Sequence, residues 1–572
     1  MIEQSFMKAL FHGVIAEDVI FPYPQLGTDE RENVGLILDS VRRFCTANVD
    51  SAKIDREHAI PKEVLDGAKE LGLFGLQIPQ DFGGVGLSSA AYARVMQEVA
   101  AADASLAVTL GAHQSIGLKA ILLAGTDDQK QRYLPSLASG EKVAAFALTE
   151  PSAGSDAAAI KTRAELSSDG SHYVLNGSKI WITNGGFADV FTVFARTSAL
   201  EEGKKPKITA FIVDRGPGVT NGPAEHKLGI RGSSTTEVFF EDVKVPVQNV
   251  IGEPGRGFRV AMEVLNNGRL GLAAGCVGAC HTLLKLALGR VMERRAFGRN
   301  IGEFGLIKDK IAGMMAETYA LESATYLTAA MVDTHGMDYS VESAICKVLG
   351  SETVWRVVNE ALQIAAGIGY MQEYPYERLL RDARINLIFE GTNEILRAFI
   401  ALTGLQGPGK QLADISRVLR DPIKGFGPLT DFAIRKVKTA LGRERLTRAH
   451  PLLGREQVIF EEYTGELASY AELTLRKHGR DVMEMQFAQK RIADIAMDLY
   501  ALAACISRTT RAVERRGEEG ARRELDLTML FANGAHKRLR QNVSDAQKND
   551  DELRKSVATR AYADGAYPFD IL

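Results

Sequence analysis

The chain has 572 residues, a formal net charge of −3, 45% hydrophobic residues and 25% charged residues. At roughly 150 residues per domain, this length predicts three or four domains, each large enough to bury its own core. The composition excludes intrinsically disordered, collagen-like and disulfide-scaffold proteins. The small net charge gives no bulk attraction to nucleic acid, so we expect no nucleic-acid partner.

Leader, membrane and metal signals are weak throughout the sequence. The first residues carry acids at Glu3, Glu17 and Asp18 and lack the basic segment, apolar segment and cleavage motif of a secretory leader. No run of 18 apolar residues predicts a membrane-spanning helix. Cys276 and Cys280 have the spacing of two metal ligands on one helix face, but the further ligands that a tetrahedral site needs are not nearby. We therefore expect a soluble intracellular protein without a metal site.

Periodicity divides the chain into helical and β regions. Apolar residues recur at helical spacing from about Glu32 to Ser139, and the period changes to two near Lys142. Asn176-Gly177, between two short β-like segments, predicts a type I′ hairpin. Helical spacing returns at Gly257, and Gly407-Pro408-Gly409 predicts a join before a further helical region.

The predicted fold class is α+β and multidomain, with a central β-barrel-like domain between helical domains. We expect five segments: an N-terminal extension (residues 1–31), an N-terminal α-domain (32–140), a β-domain (141–255), a helical-bundle α-domain (256–406) and an extra C-terminal helical domain (407–572).

Several common catalytic motifs are absent from the sequence. No G-x-G-x-x-G stands between a strand and a helix, and no P-loop, H-E-x-x-H or G-x-S-x-G motif occurs. The motifs therefore give no support to a hydrolase, a zinc enzyme or a nucleoside triphosphatase. A redox cofactor would have to bind across domain faces rather than in a dinucleotide-binding fold.

Two segments carry the chemical signal. In the first, Ala147 to Ala159 followed by Trp181 to Gly186, small residues and hydroxyls suit contacts to a ring edge and to phosphates, although a tight turn would have a similar sequence. In the second, Ile388 to Arg397, Glu390 is flanked by apolar residues at a helix–loop junction. Burial there would raise its pKa towards the range of a general base, the alternative being a carboxylate at a helix N-terminus.

Taken together, the two segments closely resemble the two signatures of the acyl-CoA dehydrogenases. The resemblance extends over nearly the whole chain, including Phe21 to Pro24, Leu110 to Gly117 and Gln363 to Gly369, and is closest to the very-long-chain branch and its relative, family member 9. Ala366 departs from the family pattern, which has the first Gly of a Gly-Gly pair at this position.

The resemblance implies an FAD-dependent enzyme that removes the α-hydrogen of an acyl-CoA as a proton and the β-hydrogen as a hydride. Glu390 matches the catalytic base. A minority of relatives carry the base on another helix, but the matching residue here is Gly268, which cannot abstract a proton. The thioester carbonyl is expected to be polarised by the backbone N–H of Glu390 and by a ribityl hydroxyl of FAD.

The resemblance also implies the residues that contact the cofactor and the substrate. The expected FAD contacts are Phe146, Leu148, Thr149, Ser155, Trp181, Thr183, Thr392 and Asn393, and from a partner subunit Arg294, Phe297, Gln363, Ile364, Ala366 and Gly367. The expected substrate contacts are Ser155, Asn266, Arg269 and Gly391, with Arg269 on the nucleotide phosphate of CoA. Gly111 and the small residues near it are expected to leave room for a long acyl tail.

The expected partners are a long-chain acyl-CoA, electron-transferring flavoprotein and a second copy of the chain in a homodimer. A basic amphipathic stretch at residues 435–455 predicts peripheral contact with an anionic membrane, the alternative being a solvated basic loop. The expected location is the cytoplasm, with or without membrane association, or the mitochondrial inner-membrane face for a mature eukaryotic form. An acyl-CoA oxidase and an assembly or scaffold protein are the alternative functions.

Overall fold

The computed structural model describes residues 5–198, 206–420 and 444–570, and the side chains of 414–420 are not considered. These residues form two units, Pro22–Leu396 and a second unit built from Met1–Phe21 and Arg397–Leu572. The α+β fold class is confirmed.

The larger unit begins with helices. Their bounds are α2 Thr28–Asn48, α3 Ser51–Glu57, α4 Lys62–Glu70, α5 Ser89–Ala102, α6 Ala104–Gly111, α7 Lys119–Ala124 and α8 Asp127–Ala138, after a short α1 at Phe6–Leu10 that belongs to the other unit. A π-helical turn, Ala112–Gly117, joins α6 to α7. Its His113 accepts a hydrogen bond from the Ala144 N–H through Nδ1, which fixes this turn to the first strand.

Eight strands form a mixed sheet. They are β1 Ala144–Ala147, β2 Arg163–Leu166, β3 His172–Thr183, β4 Val190–Arg196, β5 Ile208–Asp214, β6 Val219–Ala224, β7 Thr235–Pro246 and β8 Val250–Ile251. The order is β6-β7-β3-β2-β4-β5-β8, with β1 paired in parallel to β4. Within the described strands, β6 and β8 end this path without pairing to each other, so the sheet is open rather than the barrel-like form we expected.

The predicted hairpin at Asn176-Gly177 is wrong, because β3 continues through it. The strand is long because it pairs with β7 on both sides of a register shift between Leu175 and Gly177. The Asn176 amide donates to the Asp242 carboxylate at 3.0 Å, and a Cβ at Gly177 would lie 2.5 Å from the Thr162 hydroxyl. Gly177 therefore serves a bulge with close packing, not a two-residue turn.

The helical part after the sheet comprises α9 Gly257–Glu293, α10 Gly305–Val332, α11 Ser340–Ala365, α12 Tyr376–Arg384 and the start of α13 Asn393–Arg420. A two-stranded ribbon, β9 Arg295–Ala296 and β10 Arg299–Asn300, follows α9. Cys276, Cys280 and Cys346 are buried, as the packing interpretation of the cysteine pair predicts.

The second unit continues α13 and adds α14 Gly454–His478, α15 Gln486–Gly520, α16 Arg522–Gln547 and α17 Asp551–Asp564. The Gly407-Pro408-Gly409 segment, expected to mark a join, lies inside α13. The reason is packing, because a Cβ at Gly404 or Gly407 would collide with Phe11 or His12 at 2.2 or 2.3 Å. These glycines allow close helix approach instead of ending the helix.

Two described stretches are long and apolar enough to cross a membrane by length and hydropathy alone, Ala104–Ala124 and Gly257–Glu293. In the apolar 18-residue part of each stretch, 67% and 56% of the residues, respectively, are buried inside the protein. Their apolar character therefore reflects core packing.

Ala366 follows α11 with φ 57° and ψ −135°, a conformation that only glycine adopts without strain. Ala366, where the family pattern has Gly, is thus a strained backbone position.

Ala366→Gly is expected to stabilise the protein by about 1 kcal/mol, because relief of strain worth roughly 1–3 kcal/mol exceeds the entropy that the more flexible unfolded chain gains. Urea titration measures the free energy of unfolding. Ala312→Gly, in the middle of α10, is the control and should destabilise by about 1 kcal/mol. A lower stability for Ala366→Gly would contradict the interpretation.

Candidate active site

Glu390 lies in a short turn between a 3-10 segment, Ile385–Leu387, and the start of α13. Its φ is +59° and that of Gly391 is +92°, so two consecutive residues are in left-handed conformations. The Glu390 Oε2 atom is buried and has no hydrogen-bond partner among the described residues. Strained backbone and an unsatisfied buried oxygen both cluster at functional sites, where the surrounding structure maintains them.

Electrostatics place the pKa of Glu390 near neutrality. Burial raises the pKa to about 7, while the positive charges of Arg269 and Lys347 act in the opposite direction. A carboxylate with a pKa near 7 can both take and return a proton at physiological pH. The raised pKa predicted from the sequence therefore has its expected cause, desolvation.

Gly268 leaves the space that the carboxylate occupies. A Cβ at this position would lie 3.0 Å from Glu390 Oε2 and 2.9 Å from Ile116 Cγ2. Any larger side chain at residue 268 would displace the carboxylate or the isoleucine. Residues 268 and 390, the two positions at which the resemblance allows a base, thus lie side by side, and the Glu390 carboxylate occupies the space between them.

Arg269, expected on the nucleotide phosphate of CoA, lies beside Glu390 and is only 6% exposed. Its Nη1 donates to Asn266 Oδ1 at 2.8 Å, and its Nε donates to the Glu390 carbonyl at 3.3 Å. The structure therefore places this guanidinium next to the base, with Asn266 as a partner. The contact with the CoA phosphate stays a prediction.

Lys347, on α11, is a site residue that the sequence analysis missed. Its side chain is 0% exposed, and Nζ donates to the Gly391 carbonyl at 2.7 Å and to Asn393 Oδ1 at 2.8 Å. A lysine inside the apolar run from Ala344 to Leu349 is the signal that could have identified it, because lysine is almost never fully buried without a partner.

Asn393, an expected FAD contact, has its side chain hydrogen-bonded inside the protein. It is 2% exposed, and its amide donates to Ser351 Oγ at 3.0 Å and to Glu352 Oε1 at 3.2 Å. With its oxygen accepting from Lys347, every polar atom of this side chain is used inside the protein. Asn393 belongs to the support of the Glu390 turn.

An apolar cavity opens beside Glu390. The space between its walls measures about 1020 Å3, including the part that opens to solvent. One wall is α9, whose lining residues from Gly268 to Leu283 cover fifteen steps of 1.5 Å, or ~22 Å. Small side chains dominate this wall and the facing helix α6: Gly271, Gly275 and Ala279 on α9 and Ala104, Ala107 and Gly111 on α6. Gly111 and its neighbours thus line the cavity as predicted.

Two of the residues expected at the flavin ring, Trp181 and Thr183, lie near the carboxyl end of β3, an interior strand of the sheet. Thr183, at the end of β3, lines the same cavity as Glu390. Trp181 is 61% exposed and has a φ of +58°, a rare conformation for an aromatic residue. The Thr149 carbonyl accepts a hydrogen bond from the Ile180 N–H at 3.0 Å, which ties together the two parts of the first chemical segment.

A buried ion pair holds the first of these segments. Lys179 Nζ donates to Glu150 Oε1 at 2.7 Å and to the Leu148 carbonyl at 3.1 Å. Glu150 also accepts from the backbone N–H groups of Lys161 and Thr162. Burial acts to raise the pKa of Glu150, but Lys179 and these donors outweigh it and lower the pKa. The segment from Leu148 to Glu150 is therefore fixed by hydrogen bonds to Lys179 on β3.

The other expected cofactor residues differ in exposure. Phe146 packs against Phe194 at 5.0 Å between ring centroids, Leu148 is buried and Ser155 is exposed next to Gly154, which has open space above it. Phe297 is 94% exposed. The remaining residues expected to reach a partner subunit's flavin are also exposed except Ile364, whose side chain is buried: Arg294, Gln363, Ala366 and Gly367. Thr392 Oγ1 accepts from the Ile395 N–H at the start of α13.

Comparison with known families accounts for most of the chain. The models described as acyl-CoA dehydrogenase N-terminal, middle and C-terminal domains match residues 31–141, 145–243 and 255–405. The ACAD9/ACADV C-terminal domain matches residues 451–566. The two units of the fold thus correspond to a dehydrogenase body and an extension found in one branch.

Individual relatives agree with this assignment. The very long-chain specific acyl-CoA dehydrogenase of Macaca fascicularis is 44% identical over 96% of this chain and 85% of its own length. The structure of an acyl-CoA dehydrogenase complexed with FAD from Bacillus anthracis has a TM-score of 0.79 at 32% identity, covering 98% of this chain and 96% of that one. A chain from the structure of the electron transferring flavoprotein of Acidaminococcus fermentans has a TM-score of 0.63 at 37% identity, covering 67% and 99%. The chain described here therefore belongs to the acyl-CoA dehydrogenase family.

Proposed function

We propose that this chain is an FAD-dependent dehydrogenase of long- and very-long-chain acyl-CoA, which it converts to trans-2-enoyl-CoA. The observation that carries the proposal is the buried, unpartnered Glu390 carboxylate at the head of an apolar cavity. A base in this position can reach a carbon next to a thioester only if the acyl tail lies in the cavity. The very long-chain specific relative supports the same substrate class.

The residues around the cavity fit FAD. Thr149, Thr183 and Ser155 offer hydroxyls and Trp181 an exposed aromatic face, a set without charge that suits the edge and face of an isoalloxazine ring. The open space above Gly154 leaves room for close approach of a ligand to the backbone. Bound FAD would supply the acceptor for the hydride that leaves the β-carbon.

The protein's own part of the reaction is proton transfer and orientation. Glu390 Oε2 takes the α-proton, and its backbone N–H is placed to polarise the thioester carbonyl. The apolar walls exclude water, so the carboxylate keeps the raised pKa of about 7 that makes it an effective base. Preorganised donors at the carbonyl are worth about 3–4 kcal/mol each in comparable enzymes.

The length of the cavity supports a long acyl chain. Carbon–carbon bonds of about 1.52 Å meeting at about 111° advance an extended chain by ~1.25 Å per bond. The ~22 Å of α9 between Gly268 and Leu283 therefore corresponds to roughly eighteen bonds.

Electron transfer to electron-transferring flavoprotein is part of the proposal. The exposed indole of Trp181, next to the expected flavin face, suits a docking surface. An acyl-CoA oxidase and an assembly or scaffold protein are the alternatives. The intact geometry around Glu390 favours an enzyme over a scaffold, and reoxidation by air compared with reoxidation by the flavoprotein distinguishes the two enzymes.

Palmitoyl-CoA added without oxygen is expected to bleach the flavin absorbance of the purified holoenzyme. Glu390→Gln should still bind flavin and acyl-CoA but lose bleaching by several orders of magnitude, because no other described group lines the cavity at the position of Oε2. Stopped-flow absorbance measures both. Bleaching of Glu390→Gln at the wild-type rate, or none in the wild type, would contradict the proposal.

Gly275→Val should narrow the acyl cavity ~10 Å from Gly268 along α9, because Gly275 lines the wall opposite Ala100. We expect kcat/KM for palmitoyl-CoA to fall at least tenfold and that for butyryl-CoA to change little. Gly289→Val is the matched control on the same helix, where a Cβ meets no atom within 4 Å. An equal loss with both substrates would argue against the cavity as the acyl site.

A homodimer is proposed because large apolar side chains are exposed near the expected partner-flavin contacts, namely Phe297, Leu306 and Tyr370. The location remains a proposal: cytoplasmic, or at the mitochondrial inner-membrane face.

Peripheral membrane attachment through residues 435–455 is proposed from the sequence. Arg435, Lys436, Lys438 and Arg443 lie outside the described residues. Within the described part, Arg445 and Arg455 are exposed and Arg448 pairs with Asp18 at 2.9 Å. Co-sedimentation with anionic vesicles is expected at low salt and should weaken as salt screens the charges. Equal recovery with neutral vesicles would contradict an electrostatic attachment.

A further inference from the structure

The turn that carries Glu390 is held by two cations from different helices. The Glu390 carbonyl accepts from Arg269 Nε on α9 at 3.3 Å, and the next carbonyl, that of Gly391, accepts from Lys347 Nζ on α11 at 2.7 Å. Both residues of the turn have positive φ. Such a conformation persists only where its surroundings over-determine it, and these two donors fix the two successive peptide groups.

The contact of Lys347 extends to the start of α13. Its second hydrogen bond reaches Asn393 Oδ1 at 2.8 Å, and Ser351 Oγ also donates to that oxygen at 3.2 Å. Ser351 lies one helical turn after Lys347 on α11, so one face of α11 holds both ends of the segment from Gly391 to Asn393. The position of the base is therefore set by α11 as much as by the turn itself.

The charges that act on Glu390 and Lys347 come from α9, α11 and α13, and Asp382 on α12, a carboxyl whose burial raises its pKa to about 7, lines the same cavity. Arg269 on α9 and Lys347 on α11 are positive, and Glu394 on α13 is the acid that acts on Lys347. Cys276 faces Lys347 from α9 but stays a neutral thiol, because burial raises its pKa to about 12. Burial lowers the pKa of Lys347 to about 8, with Glu390 opposing this change. At neutral pH Lys347 is thus a cation that favours the ionised form of Glu390.

We propose that Lys347 is a positioning residue for the catalytic base, fixing the turn from Glu390 to Asn393 by two hydrogen bonds and holding the carboxylate ionised by its charge. The inference rests on the proposed function, since it assigns a support to the base of that reaction. Lys347 does not line the acyl cavity, so its effect is exerted through the turn that it holds.

The test compares Lys347→Gln with Lys347→Arg in the holoenzyme, using the pH dependence of flavin bleaching by palmitoyl-CoA. In the wild type the rate should rise with pH through about 7, because only ionised Glu390 accepts the proton. Loss of the charge in Lys347→Gln should move this midpoint up by about one pH unit or more, which is tenfold in rate at pH 6. Lys347→Arg, which keeps the charge, should keep the wild-type midpoint.

Two further variants separate positioning from general damage. Ser351→Ala removes the two hydrogen bonds between Ser351 and Asn393 and no charge, so it should lower the rate at high pH several-fold without moving the midpoint. Lys119→Met removes another buried lysine, one whose Nζ donates to Gln77 at 3.0 Å, and should leave the midpoint unchanged.

An unchanged midpoint in Lys347→Gln, or an equal shift in Lys119→Met, overturns the proposal. If Lys347→Gln does not fold, a wild-type rate at high pH in Ser351→Ala overturns it and a several-fold lower rate supports it. Absence of bleaching in the wild type would instead reject the proposed function, so the two failures are distinguishable.

Discussion

The site depends on a balance between desolvation and two cations at Glu390. Burial of Oε2 without a hydrogen bond disfavours the ionised carboxylate. Arg269 and Lys347 stabilise the ionised form by their charge, without a hydrogen bond to that oxygen. A direct salt bridge would hold the proton affinity too low for a base. Complete isolation would leave the carboxyl group protonated at neutral pH.

The cations act through the backbone as well as through charge. Each donates to a carbonyl of the strained turn, so the same two side chains set the direction of the carboxylate and its proton affinity. Around them, Gly268 provides space for the carboxylate, and the small residues of α6 and α9 provide the cavity. The two cations thus lie on α9 and α11, helices that also contribute residues to the apolar wall.

Sequence patterns predicted the fold class and the change of period near residue 142. The apolar neighbours of Glu390 made it a candidate for a raised pKa, but its assignment as the base came from the family resemblance. They failed where a distant partner decides the structure: Asn176-Gly177 is a local turn signal, but β7 extends the strand through it. Likewise, Gly407-Pro408-Gly409 is a local signal for a helix break, yet α13 continues through it. At Gly407 the absence of a Cβ leaves the space that the His12 side chain occupies. Lys347 and the true environment of Arg269 could not be predicted, because both depend on which helices meet at the turn.

Helix α9 combines several of these tasks along a single rod of 37 residues. It frees space for the base at Gly268, supplies Arg269, lines the acyl cavity as far as Leu283 and leads to Arg294 and Phe297 at its far end. Inserting one residue in such a helix would rotate everything beyond it by about 100°. Side-chain size along this helix can therefore change at one position without moving the rest, whereas an insertion within it would turn Arg294 and Phe297 relative to Gly268.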